Sequence, residues 1–326
     1  MSSGADTITP ADITRSGLVT LGETMGLLVQ TAPGVPRNGE PMSFGIGGSE
    51  SNVAIGVRRL GVPATWIGRI GDDPAGAMIQ RELRAERVEA VAVIDPAPTG
   101  LMLRWRPAAQ RGRVEYYRRG SAGSHLCAGD VLPELITRAR VLHVSGITLA
   151  LGADPAAAVT HAIGVAREAG VTVSLDLNFR RALWDEQTAA PVLEGAARQA
   201  DVVFAGVDEA AIIAGTHDPL EAALALEQLG PRQVLIKLGA DGCLARINGT
   251  THELAAPRVA VLDTVGAGDA FAAGYLADLI AGAGPAERLA TAIAAGAWAV
   301  TVSGDWEGMP DRRALGLFED SEPVVR

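Results

Sequence analysis

Asp263-Thr264-Val265-Gly266-Ala267-Gly268-Asp269 runs directly into Ala270-Phe271-Ala272-Ala273-Gly274-Tyr275-Leu276-Ala277, so a polar turn opens an apolar stretch of helical character. Small residues at 266–268 let consecutive backbone N–H groups point at one ligand from a helix N-terminus, where the helix dipole favours negative charge. Such a turn is an anion hole of phosphate size. Asp269 falls in the first turn of the same helix, where an ionised carboxylate gains ~0.3–1 kcal/mol. Phosphoryl transfer needs this pairing: the carboxylate takes the proton of an acceptor hydroxyl while the amides hold the developing charge. Asp269, Gly266, Ala267 and Gly268 are therefore the candidate catalytic residues. A plain tight turn with a helix-capping Asp is the bland alternative. A dinucleotide fingerprint fits poorly, because Phe271 stands where its third small residue belongs. The sequence has no GxxxxGK[ST] run, so a Walker-type phosphate loop is absent.

A second glycine motif lies near the other end, Gly45-Ile46-Gly47-Gly48-Ser49-Glu50-Ser51-Asn52-Val53-Ala54, leading into a helix with Arg58, Arg59 and Leu60-Gly61. Gly47 and Gly48 allow close backbone approach to a ligand, and the Asn52 amide both donates to and accepts from sugar hydroxyls. Asn52 could equally be a polar residue at a helix start.

Composition limits the partners. The 326 residues, 48% hydrophobic, suffice for one large core, and 28 Lys plus Arg against 38 Asp plus Glu give a net charge of −10. An acidic surface argues against nucleic acid. Cys127 and Cys243 are far apart and without CxxC spacing, as expected of free thiols in a reducing compartment. No secretory signal or membrane-length apolar run is evident, so the expected location is cytoplasmic and no membrane partner is expected. The five histidines show no paired spacing and read as structural or surface residues.

Short β-branched runs at 18–21, 64–70, 141–144, 171–175, 202–204 and 234–237 alternate with helical stretches at 51–60, 75–84, 155–169, 189–199 and 220–229. This alternation predicts an α/β fold with a doubly wound, mostly parallel sheet flanked by helices. Residues 24–44 and 98–119 break the pattern with strands and turns only, which predicts a small separate sheet, a lid, within one domain spanning 1–326. A helix-rich tail follows from 266 to 303.

At three ordered places the chain resembles the ribokinase-like, PfkB-type carbohydrate kinases: GGSESNVA at 47–54, DTVGAGDAFAAG at 263–274, and Lys237-Leu238-Gly239-Ala240-Asp241-Gly242. The resemblance implies a large α/β domain for ATP, a β-sheet lid over the sugar, and ATP with Mg2+ as cofactors. It makes Asp269 the base and 266–268 the anion hole, and it puts Lys237, Gly239 and Gly242 at the nucleotide with the adenine near 295–298. Where the family has Asn-x-x-Glu near Mg2+ this chain has Gly206-Val207-Asp208-Glu209, keeping Glu209 as an indirect metal residue and losing the Asn.

Six arginines, 104, 106, 111, 113, 118 and 119, crowd the second lid segment against the single acid Glu115. A solvated lid face accounts for most of them, but an inward arginine matches a substrate carboxylate. Gly22-Glu23, Glu115-Tyr116-Tyr117-Arg118 and Asp176-Leu177-Asn178-Phe179-Arg180 are similar to segments of the 2-keto-3-deoxygluconate kinases, as is Gly304-Asp305-Trp306-Glu307. That likeness implies that Tyr116, Arg118, Arg180 and Asp305 meet a sugar acid together with Gly47, Gly48 and Asn52, and that Asn178 serves the nucleotide side. Thr99-Gly100-Leu101-Met102 lacks the usual lid aromatic. A ribokinase, fructokinase or nucleoside kinase, and a non-catalytic sugar-acid-binding regulator, are the alternatives. Exposed lid edges predict a homo-oligomer, at least a dimer.

Overall fold

In the computed structural model, which describes residues 17–108 and 111–316, the strands are β1 (Leu18–Leu21), β2 (Met25–Gln30), β3 (Met42–Gly47), β4 (Ala64–Gly71), β5 (Glu89–Asp95), β6 (Leu101–Ala108), β7 (Arg111–Tyr117), β8 (Val141–Ser145), β9 (Thr172–Asp176), β10 (Val202–Gly206), β11 (Gln233–Lys237), β12 (Cys243–Ile247) and β13 (Thr250–Leu254). The nine-stranded sheet has the order β13-β12-β11-β10-β9-β8-β1-β4-β5 and is parallel except for β12 and β13. Its central strands, β8 to β11, are largely buried because both faces are covered. Along β10, Val202 and Phe204 pack into one layer while Val203 and Ala205 pack into the other. Helices Ser49–Arg59, Pro74–Ala85, Ala267–Ala281 and Pro285–Ala299 contribute to the first layer, and Ala153–Ala169, Glu186–Ala197 and Pro219–Gln228 to the second.

From β1 the main sheet extends to β4 and β5 on one side and to β8 through β11 on the other. Ligands of such sheets bind beyond the carboxyl ends of the strands, near the point where the winding reverses. Asp176, Gly206 and Lys237 are the last residues of β9, β10 and β11. The lid forms a separate sheet in the order β3-β2-β6-β7, with Met25, Leu27 and Met102 buried on it. Its strands lie in the two segments read as helix-free, except that β3 runs on past 44 to Gly47.

Beyond the sequence reading lie strand β5, the helices Pro133–Arg138, Gly146–Leu149, Val207–Ala214 and Arg312–Gly316, and the β12–β13 hairpin at the sheet edge. The hairpin had a signal in Asn248-Gly249, both at positive φ, 50° and 80°. The helix-rich tail read at 266–303 consists of the helices Ala267–Ala281 and Pro285–Ala299.

Close packing of two helices brings the glycine motifs together. A Cβ on Gly56 would lie 2.6 Å from Ala273 Cβ, so the helices Ser49–Arg59 and Ala267–Ala281 nearly touch there. Asn52 is one turn before Gly56, and Asp269 one turn before Ala273. That crossing sets Asn52 against Asp269.

Candidate active site

Asp269 is held from two sides. Ser49 Oγ donates to its Oδ1 at 2.8 Å and Asn52 Nδ2 to its Oδ2 at 2.9 Å, while Asn178 Nδ2 donates to Ser49 Oγ at 2.7 Å. Burial pushes the Asp269 carboxyl above the ordinary carboxylate range; the bonds from Asn52 and Ser49 pull it down, Asp176 adds to the rise and Arg180 opposes it. Gly266, at φ 74°, caps the helix in the left-handed region, and a Cβ there would lie 1.8 Å from the Asp305 carbonyl oxygen. Only glycine fits both demands.

Two cavities meet at this turn. One, of about 430 Å³, is lined by Asp269, Asn178, Arg180, Tyr116, Arg104 and Asp305, with Leu27, Met102 and Val114 of the lid as its apolar wall. The other, of about 730 Å³, is lined by Gly239, Gly242 and Ala267 and has apolar walls at Phe271, Ile293, Ala297 and Val300. Lys237, Thr264 and Gly268 line both. Lys237 Nζ is 2.8 Å from Asp176 Oδ2; burial alone would lower its pKa, but Asp176 and Glu209 more than offset that and hold it raised. A cation thus stays at the junction.

Of the residues read from the sequence, the structure gathers Asp269, Gly266, Gly268, Asn178, Arg180, Tyr116, Asp305, Lys237 and Glu209 around the first cavity. Gly47 is pressed against Asp305: a Cβ there would lie 2.2 Å from Oδ2. Gly48 is the residue before the 49–59 helix, at an extended φ of 176°, and a Cβ would lie 2.5 Å from the Glu23 carbonyl oxygen. Arg118 is turned elsewhere. Its guanidinium pairs with buried Glu23 at 2.6 Å and lies over the Tyr116 ring at 5.6 Å, and it is not among the residues lining the cavity. Glu23 also accepts from Ser121 Oγ.

Gly206, where the family has Asn, precedes helix Val207–Ala214 and donates its N–H to Glu209 Oε2 at 2.7 Å. Asp208, 92% exposed and 3.6 Å from His217, lines an open cavity together with Gly206, Glu209 and Lys237. Among the described residues no cluster of three or more His, Cys, Asp or Glu could hold a metal ion, and no helix is long and apolar enough to cross a membrane.

The sequence reading missed Ser49, Arg104 and the depth of Asp305. Ser49 had a signal in its place directly after Gly47-Gly48. Asp305 is raised to about 7 by burial, opposed by Arg104 and reinforced by Asp269, Glu307 and Asp263.

The sequence profile of the pfkB family carbohydrate kinases matches residues 15–312. The chain is 35% identical over 312 residues to a 2-dehydro-3-deoxygluconokinase of Bacillus subtilis (strain 168), covering 94% of this chain and 96% of that one. It is 38% identical over 302 residues to a 2-dehydro-3-deoxygluconokinase of Thermoproteus tenax, covering 91% and 92%. A crystal structure of fructokinase with bound ATP from Xylella fastidiosa superposes with a TM-score of 0.82 at 25% identity, covering 94% of this chain and 99% of that one. With its two glycine motifs meeting at one carboxylate between two cavities, this chain belongs to the PfkB family of carbohydrate kinases.

Proposed function

We propose that this ATP-dependent sugar kinase phosphorylates the primary hydroxyl of a sugar acid, 2-keto-3-deoxygluconate foremost, to give its 6-phosphate. The observation that carries the chemistry is the position of Asp269 where the polar cavity meets the apolar one. The apolar cavity suits a nucleobase, and its shared end, with Lys237 and Gly268, suits phosphates. Bound there, MgATP supplies the phosphoryl group.

Asp269 accepts the proton of the acceptor hydroxyl as that oxygen bonds to the γ-phosphorus and the bond to the ADP oxygen breaks. Ser49 and Asn52 aim the carboxylate, and the amides at Gly266, Ala267 and Gly268 offset the charge on the group in transit. Lys237 neutralises phosphate, with Gly239 and Gly242 beside the nucleotide. A magnesium ion there would be held mainly by phosphates and water, with Glu209 acting on it indirectly, through water. Arg180, 47% exposed, lies 3.7 Å from Glu209 and donates to the Phe179 carbonyl; turning its planar fork to the acid's carboxylate exchanges that long pair for a bidentate one, and Tyr116 and Asp305 complete that wall. Arg118 supports Tyr116 from behind.

The likeness to two 2-dehydro-3-deoxygluconokinases supports the acid. The engagement of Arg118 with Glu23 favours a second reading, a neutral sugar, since it leaves one fewer arginine for a carboxylate.

A coupled ADP-release assay on 2-keto-3-deoxygluconate, 2-keto-3-deoxygalactonate, ribose, fructose and adenosine separates these readings. Turnover is expected on the keto acids, and Asp269→Asn is expected to lower kcat by ~10²–10⁴-fold while leaving the fold intact. Preference for a neutral sugar would overturn the acid, and near-normal turnover by Asp269→Asn would overturn the base.

A further inference from the structure

Arg104 is a buried arginine of the lid, yet its partners belong to the core. It lies on β6, with a side chain 10% exposed; Nη2 donates to Asp263 Oδ2, and Nη1 is 3.4 Å from Asp305 Oδ1. Asp263 opens the glycine-rich turn, and its Oδ1 accepts from the Val265 N–H at 3.2 Å. Its Oδ2 also faces the Gly304 N–H at 3.4 Å. Asp305 is fixed by its own N–H to Glu307 Oε2 at 2.8 Å, and its carbonyl backs directly onto Gly266. One guanidinium therefore reaches both the turn that makes the anion hole and the loop that walls the acceptor cavity.

We propose that Arg104 is a positioning residue that latches the lid to the core, holding Asp305 in place as the far wall of the acceptor cavity. The inference rests on the reading of that cavity as the acceptor side, and not on which acceptor it takes. Physically, a planar fork suits two carboxylates at once, while a lysine offers a single point charge. The charged groups facing Asp305 are Arg104 from the lid, Asp263 from the turn, Asp269 from helix Ala267–Ala281 and Glu307 from its own loop. Three of these four are acids. Arg104 is thus the cation that opposes protonation of Asp305.

Arg104 itself does not line the nucleotide cavity, so a larger effect on the acceptor than on ATP separates its role from a general loss of structure. The test compares wild type with Arg104→Met, Arg104→Lys, Asp305→Asn and the Arg104→Met/Asp305→Asn double variant. It uses whichever acceptor the wild type phosphorylates best, so an error in the proposed substrate does not affect it. Arg104→Met is expected to raise the acceptor KM about 10- to 100-fold, leave the ATP KM within about 2-fold, and move the acid limb of kcat/KM for the acceptor upward by about one pH unit. Arg104→Lys should recover part of the loss, and the double variant should be no worse than the poorer single variant, as for two residues acting through one contact.

Equal rises in both KM values, an unmoved pH profile, or fully multiplicative losses in the double variant would each overturn the proposal. So would an Arg104→Met enzyme with wild-type kcat/KM. If Arg104→Met does not fold, Arg104→Lys carries the test by itself through its acceptor KM and pH profile, with the same outcomes decisive.

Discussion

Asp269 has both oxygens occupied by neutral donors, Ser49 and Asn52, which aim it without neutralising it. Burial raises its pKa, and a base works only when ionised, so kcat/KM should fall with decreasing pH at values higher than an ordinary carboxylate would give. Asn52 stabilises the ionised form. Asn52→Ala is therefore expected to shift this acid limb further up while lowering kcat, and a pH-rate profile whose limb stays put or moves down would sink the assignment. Glu50, next to Ser49, makes a separate prediction about stability. It is buried, accepts from Thr148 Oγ1 through Oε1, has no partner for Oε2, and is raised from 4.5 to about 7 chiefly by that burial. A raised carboxyl leaves the fold unpenalised below pH 4.5, and the cost of ionising it grows as pH rises from there to about 7 and is constant above. Glu50→Gln should match wild type at the acid end and exceed it at pH 8 by on the order of 3 kcal/mol, at about 1.4 kcal/mol per pKa unit. Urea unfolding at several pH values decides this; a stability difference independent of pH would exclude Glu50 as the titrating group.

Helix Ser49–Arg59 works as a strut between two parts of the cleft. Its first turns carry Ser49 and Asn52 to Asp269, and its last residue, Arg59, lies 5.1 Å from the Trp306 ring centroid. Arg59 also donates to the carbonyls of Trp306, Glu307 and Met309, securing the loop that bears Asp305. The helix was legible in the sequence as a helical stretch alternating with strands, and the site at its start from Gly47-Gly48 and Asn52. Its far end was not, because Arg59 looks like any basic residue in a last turn until the chain returns some 250 positions later. Arg104 was hidden in the same way: six arginines in the lid read alike, and only the fold separates the one facing Asp263 and Asp305 from Arg118, which faces Glu23. Local patterns gave the strands and helices, whereas long-range ion pairs depend on how the elements cross. Gly56 fixes one such crossing. In Gly56→Ala the new Cβ would meet Ala273 Cβ at 2.6 Å and Met309 Sδ at 2.9 Å, forcing the helices apart. Overpacking costs about 1–3 kcal/mol, but Ala is better than Gly in a helix by about 1 kcal/mol, so the net loss of stability should be modest. Activity should suffer more, with kcat down at least about 10-fold as Asn52 leaves Asp269. A drop in stability at unchanged kcat would show that the crossing does not set the site.

The two sheets are unequal partners. The main sheet is packed on both faces, while the lid buries only Met25, Leu27 and Met102 as a cluster of its own, with Val29 and Val114 partly buried beside them. Its edge strands β3 and β7 carry exposed Phe44 and Tyr117. Regions with little buried apolar surface open at lower free energy than the core, and each 1.4 kcal/mol of that difference is tenfold in exchange. Amides of β3 and β7 should therefore exchange at least about 100-fold faster than those of β8, β9 and β10, through openings that leave the main sheet intact. Acceptor together with a non-hydrolysable ATP analogue should slow exchange in the lid and barely change it in β8 to β10, because the acceptor cavity has Leu27, Met102, Val114 and Tyr116 as its lid wall. Hydrogen exchange read by mass spectrometry measures both effects. The Arg104→Met lid should exchange faster still without ligand, since Arg104 is bound to Asp263 and Asp305 across the cleft. Uniform protection across both sheets, or a lid indifferent to ligand, would mean that the molecule opens as one unit and that the lid is a fixed wall.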